Sequence, residues 1–83
     1  MEFCCYILES ETSGRLYIGQ TNDLNDRVRR HNAGMNISTR NRGPWKLLFA
    51  KQFISRAEAV SCEKKLKSMK NSTKVKEWIA VQG

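Results

Sequence analysis

The sequence predicts an α+β domain: a small three-stranded, largely antiparallel sheet flanked by helices, in the order β-β-α-β-α-α. Three observations predict it. Two short runs of strand-forming residues are separated by a polar segment ending in Gly, as a hairpin requires. A third apolar run follows a polar, Arg- and Gly-bearing stretch. Helix-capping residues stand before segments with apolar residues at helical spacing.

Phe3-Cys4-Cys5-Tyr6-Ile7-Leu8 is the first strand, and the polar Glu9 to Gly14 segment is its hairpin connection. Arg15 to Gln20 reads as the second strand. Thr21-Asn22-Asp23 supplies capping residues before Leu24, and Asp23 suits the positive end of a helix dipole. That helix runs to about Asn32, with Gly34 as its stop and a thin apolar face of Leu24 and Val28. Met35 to Pro44 is a loop, and Trp45 to Phe53 is the third strand. Ser55 and Glu58 have the spacing of a capping box for a helix reaching about Met69. Asn71-Ser72-Thr73 breaks and recaps the chain, after which Val75, Trp78 and Ile79 recur at helical spacing.

Composition narrows the function. The chain of 83 residues is of single-domain size and must keep its core compact. Fifteen Lys and Arg against eight Asp and Glu give a formal net charge of +7, which attracts polyanions, nucleic acid foremost. No apolar run approaches the roughly 20 residues of a membrane span, and the N-terminus does not read as a signal peptide. The three cysteines, Cys4, Cys5 and Cys62, lack metal-site spacing, and Cys4 and Cys5 should point to opposite faces of their strand. Reduced thiols in a cytoplasmic protein are the reading they support.

Several residues carry chemistry. Tyr6 and Tyr17 stand on adjoining strands, on either side of a turn near Thr12-Ser13, and are expected close together. Two tyrosines packed as strands prefer would look the same. Arg27 and His31 are one turn apart on a helix face, where Arg can grip phosphate and His can move a proton. Arg29 and Arg30 point elsewhere on that helix and suit a polyanion backbone; a solvated basic face is the plainer reading of all four. Glu63 shares a helix face with Ala59, Val60 and Leu66, where a carboxylate is costly unless a cation or metal pairs with it. An ion pair to Arg27 and coordination of a divalent ion are the two readings. Mg²⁺ takes one or two protein carboxylates and completes its shell with water and phosphate oxygens.

Cys4-Cys5-Tyr6 followed by Tyr17-Ile18-Gly19 resembles the paired strand motifs that name the GIY-YIG nucleases. Only Tyr6 of the first triplet matches that pattern; the second triplet matches throughout. The resemblance continues through Thr21 to Leu24, Arg27, His31, Gly34, Thr39-Arg40, Arg42 to Leu47 and Ser55 to Lys67. The group most similar is that of small single-domain bacterial members, themselves similar to the N-terminal nuclease half of the excision-repair subunit UvrC. Residues 1–83 are thus expected to form one GIY-YIG nuclease-like domain.

The resemblance implies a metal-dependent endonuclease that hydrolyses DNA phosphodiester bonds with one divalent ion, Mg²⁺ or Mn²⁺. DNA is the implied partner, with RNA as a second candidate. By position, Tyr6 and Tyr17 correspond to the motif tyrosines, Tyr17 being the candidate to activate water. Arg27 corresponds to the phosphate-steadying arginine, His31 to a histidine found in part of the family, and Glu63 to the single metal-binding carboxylate. A phenolic oxygen near a metal and an Arg is expected to have its charged form favoured. Arg29, Arg30, Arg40, Arg42, Lys64 and Lys67 are the expected nucleic-acid contacts. Asn71 is the candidate counterpart of an asparagine that some members carry. With few base-reading elements in so short a chain, cutting is expected to be structure-guided or weakly sequence-specific. Two rival readings stay open: a non-catalytic nucleic-acid-binding module of the same fold, and an accessory protein that docks an acidic partner.

Overall fold

The computed structural model describes residues 2–35 and 43–82. Its elements are β1 (Phe3–Ser10), β2 (Leu16–Thr21), α1 (Leu24–Asn32), β3 (Trp45–Phe53), α2 (Arg56–Ser68) and α3 (Ser72–Gln82). The sheet is antiparallel with strand order β2-β1-β3, so the expected fold class and element order are both observed.

The central strand β1 is buried from Cys4 to Ser10, and its period-two alternation divides the core in two. Cys4, Tyr6 and Leu8 join Trp45 on one face, where Leu24 and Val28 of α1 and Tyr17 of β2 pack. Cys5 and Ile7 face the other way, onto Leu66 of α2 and Val75 of α3. Cys4 and Cys5 therefore do lie on opposite faces.

β1 extends two residues beyond the expected Leu8. Glu9, assigned to the connection on its polarity, is an ion-paired strand residue: Lys46 of β3 lies 3.4 Å and Lys76 of α3 2.6 Å from its carboxylate. Those cations, Lys76 first, hold the carboxyl below its ordinary range despite the desolvation that opposes them. The turn is tighter for it, with the Ser10 carbonyl accepting from the Gly14 N–H and Gly14 at φ 77, a conformation glycine adopts without steric cost.

Local signals set the helices. Asp23 is the N-cap of α1, its carboxylate accepting from the Asp26 N–H at 3.1 Å. Gly34 follows the helix end at φ 77, in the left-handed region the stop signal implied. Ser55 caps α2 by accepting from the Glu58 N–H at 3.3 Å. Asn71 caps α3, accepting from the Thr73 and Lys74 N–H groups at 2.8 and 3.3 Å. A non-local clamp completes the frame. The Asn32 amide accepts from the Trp45 N–H at 2.7 Å and donates to the Trp45 carbonyl at 3.1 Å, fixing the end of α1 against the start of β3.

Candidate functional site

The register of the first hairpin creates the site. Tyr6 sits opposite Gly19 and Leu8 opposite Tyr17, so the two tyrosines are diagonal neighbours on one face, with ring centroids 6.3 Å apart. Gly19 makes this arrangement possible. A Cβ there would meet the Tyr6 hydroxyl oxygen at 2.7 Å and Cζ at 2.8 Å, closer than carbon atoms pack. The Tyr6 ring thus lies across the β2 backbone where a side chain is missing. Gly19 closes the Tyr17-Ile18-Gly19 motif, and an isolated Gly inside a strand is itself a sign of close approach.

α1 brings His31 over the same face. Its Nε2 is 3.1 Å from the Tyr6 hydroxyl oxygen, and its ring is 4.5 Å from that of Tyr17, centroid to centroid. Tyr6 and His31 are both almost wholly buried, each about 1% exposed, whereas Tyr17 is half-buried and reaches solvent. Burial, and secondly the charge of Arg27, holds the imidazole below its ordinary pKa, so His31 is neutral near pH 7. Burial also pushes the Tyr6 phenol up; Tyr17 and Glu63 add to this and Arg27 opposes it without prevailing. Arg27 alone, without a metal ion beside it, does not favour the phenolate of Tyr6. Desolvation outweighs the cation, and Tyr6 is held as the neutral phenol.

Arg27 is half-buried on α1, close enough for its charge to bear on both Tyr6 and His31. Glu63 comes from α2 and its charge is felt by Tyr6 and by Cys5. A Glu63–Arg27 ion pair, one of the two readings of this carboxylate, is not found among the described residues. Glu63 pairs instead with Lys67, one turn on, at 2.6 Å, with the carboxylate side chain only 19% exposed. Glu at i and Lys at i+4 is the favoured order for such a pair, so the spacing carried the signal.

The remaining basic residues divide. Arg29 and Arg30 both grip Asp26, at 2.6 and 2.8 Å, on the outer side of α1. Lys64 is exposed on α2, and Lys67 is engaged by Glu63. Arg40 and Arg42 lie outside the described residues. Asn71 spends its side-chain oxygen on capping α3.

Among the described residues no group of three or more His, Cys, Asp and Glu gathers into a closed metal cage. The donor set fits a different type of ion. One largely buried carboxylate already drawing a cation to 2.6 Å suits a hard divalent ion that keeps water and phosphate oxygens in its shell.

A three-stranded antiparallel sheet presenting paired tyrosines beneath an Arg- and His-bearing helix, with one glutamate on the next helix, defines a GIY-YIG-type domain. The family model of the GIY-YIG catalytic domain matches residues 2–76, and the chain belongs to that family. It is 38% identical over 72 residues to a UPF0213 protein of Oceanobacillus iheyensis, covering 86% of this chain and 83% of that one. Identity to a UPF0213 protein of Streptococcus pneumoniae is 43% over 70 residues, 83% of this chain and 70% of the relative. The solution NMR structure of a UPF0213 protein from Bacillus halodurans aligns with all of this chain and 87% of its own, with TM-score 0.63 and 32% identity.

Proposed function

We propose that this protein is a metal-dependent endonuclease that hydrolyses DNA phosphodiester bonds with weak sequence preference. The observation that carries the reading is the shared face of Tyr6, Tyr17 and His31, with the Arg27 charge bearing on the buried pair. Membership of the GIY-YIG family supports the reaction class.

The residues divide the work by environment. Arg27 binds and orients the scissile phosphate and offsets charge as it builds in the transition state. Tyr17, the phenol that reaches solvent, serves as general base towards the attacking water. Tyr6 stays protonated and, through its 3.1 Å contact, holds the neutral His31 ring against Tyr17. Glu63 is the residue that would hold the divalent ion, Mg²⁺ or Mn²⁺, whose chemistry is to neutralise developing phosphate charge and lower the pKa of bound water. Lys64 and the basic face of α1 lend long-range attraction for the polyanion.

The test is cleavage of labelled single-stranded, duplex and branched DNA with Mg²⁺ or Mn²⁺ by wild-type, Glu63→Gln, Tyr17→Phe and Tyr6→Phe proteins. Metal-dependent cutting that Glu63→Gln abolishes is expected. Tyr17→Phe should lose roughly 10²–10⁴-fold, the usual contribution of a general base. Tyr6→Phe, which removes a positioning contact, should lose less; equal losses would refute this assignment of the two tyrosines. One observation favours a second reading, a nucleic-acid-binding module that does not cut: Glu63 is already neutralised by Lys67. Salt-dependent binding without cleavage of any substrate would select it.

A further inference from the structure

Beside the site, a groove of about 640 Å³ opens between the β1–β2 turn and the α2–α3 junction. Arg15, Lys67 and Lys70 line it together with Leu16, Ile18 and Tyr17, and no Asp or Glu does among the described residues. Two of its walls belong to the candidate site: Tyr17 packs against His31 with tilted rings, and Lys67 holds Glu63. Nucleic acid whose scissile phosphate sits at that site therefore has this groove as its continuation.

Several cations elsewhere on the surface are held by carboxylates. Arg29 and Arg30 share Asp26, and Lys46 and Lys76 share Glu9. Arg15 and Lys70 make no ion pair among the described residues. Lys70 is also conformationally anomalous. It directly follows the α2 C-cap at φ 52, in the left-handed region where Gly is the usual occupant. A long cationic side chain at a position whose backbone favours glycine, beside a second unpaired cation, suits a ligand-contacting role.

Resting on the nuclease reading, we propose that this groove holds the phosphates of a single nucleic-acid strand flanking the cleavage point, with Arg15 and Lys70 as its phosphate contacts. The half-buried Leu16 and Ile18 offer an apolar floor to the base attached to that phosphate. One phosphate and its unpaired base fit a groove of this size, so the preferred substrate is single-stranded or frayed at the cut site.

The test is binding of a fluorescein-labelled single strand, and of a duplex of equal length, to the full chain by fluorescence anisotropy in EDTA across a salt series. Wild type is expected to bind the single strand more tightly than the duplex. Arg15→Ala and Lys70→Gly should each weaken single-strand binding and lower the log–log salt slope by roughly 0.7, the increment for one lost phosphate contact. Lys70→Gly is the control for folding: glycine relieves the backbone, so its melting temperature should not fall while its affinity does. An unchanged slope in both variants, tighter binding of the duplex, or no single-strand binding by wild type overturns the proposal. The assay contains no divalent metal, so a chain that never cuts still reports on the groove. Metal-dependent cleavage with an unchanged slope would sink the groove and leave the nuclease standing.

Discussion

The Glu63 carboxylate and the Lys67 ammonium are 2.6 Å apart, one turn from each other on α2. The lysine puts a single positive charge where the proposed function needs a double one. Binding a divalent ion at Glu63 requires that this pair part, and the released ammonium then lies in a wall of the phosphate groove.

Lys67→Met should accordingly raise metal affinity. An ion pair with one exposed partner contributes roughly 0.2–1 kcal/mol, so the gain expected is about 1.5- to 5-fold in Kd. Mn²⁺ titration followed by electron paramagnetic resonance, with Glu63→Gln as the blank, reads it directly. Equal Kd values for wild type and Lys67→Met would mean that metal does not compete with the lysine.

Gly19→Ala addresses the frame of the site. The backbone accepts alanine there, because Gly19 has no positive φ, so any cost comes from the clash with Tyr6. Tyr6 is buried and tied to His31, and it can yield only by moving that contact. The expected loss is about 1–3 kcal/mol, typical of overpacking, seen as a lower urea midpoint with an unchanged m-value. The His31 imidazole resonances should shift in the same variant. A wild-type midpoint would show that the ring has room to move.

Much of this was legible because the signals are local. The caps at Asp23 and Ser55, the stop at Gly34 and the alternation of β1 each depend on residues within a turn or two. The residues of the proposed site, Tyr6, Tyr17, Arg27, His31 and Glu63, were singled out by motif order and helical spacing. What escaped was set by distant partners. Glu9 is a strand residue because Lys46 and Lys76, far along the chain, offset the cost of burying its carboxylate. The Asn32–Trp45 clamp joins residues thirteen apart, with no periodicity to reveal it. The two tyrosines form another such case. Their proximity follows from hairpin register, but that burial keeps Tyr6 neutral against the pull of Arg27 depends on how completely α1 covers it.

His31 gives a prediction that needs no substrate. It is the single histidine of the chain, buried against Tyr6 and Tyr17, with Arg27 the charge that bears on it. Its folded-state pKa lies below the ordinary value of 6.5, so under mildly acid conditions the unfolded chain binds a proton that the folded chain does not. Stability is then full above about pH 6.5 and declines as pH falls from there towards the folded pKa. The slope cannot exceed about 1.4 kcal/mol per pH unit, the limit for one proton. Asp26 and Glu9, whose pKa values are lowered from 3.8 and 4.5, shed their contributions only in stronger acid. Between about pH 6.5 and 5 the decline therefore belongs to the imidazole. Urea unfolding across that interval should show it in wild type, and His31→Gln should flatten it. A flat wild-type profile would mean that the imidazole accepts its proton without leaving the Tyr6 contact, and the neutral His31 assigned to the site would have to be given up.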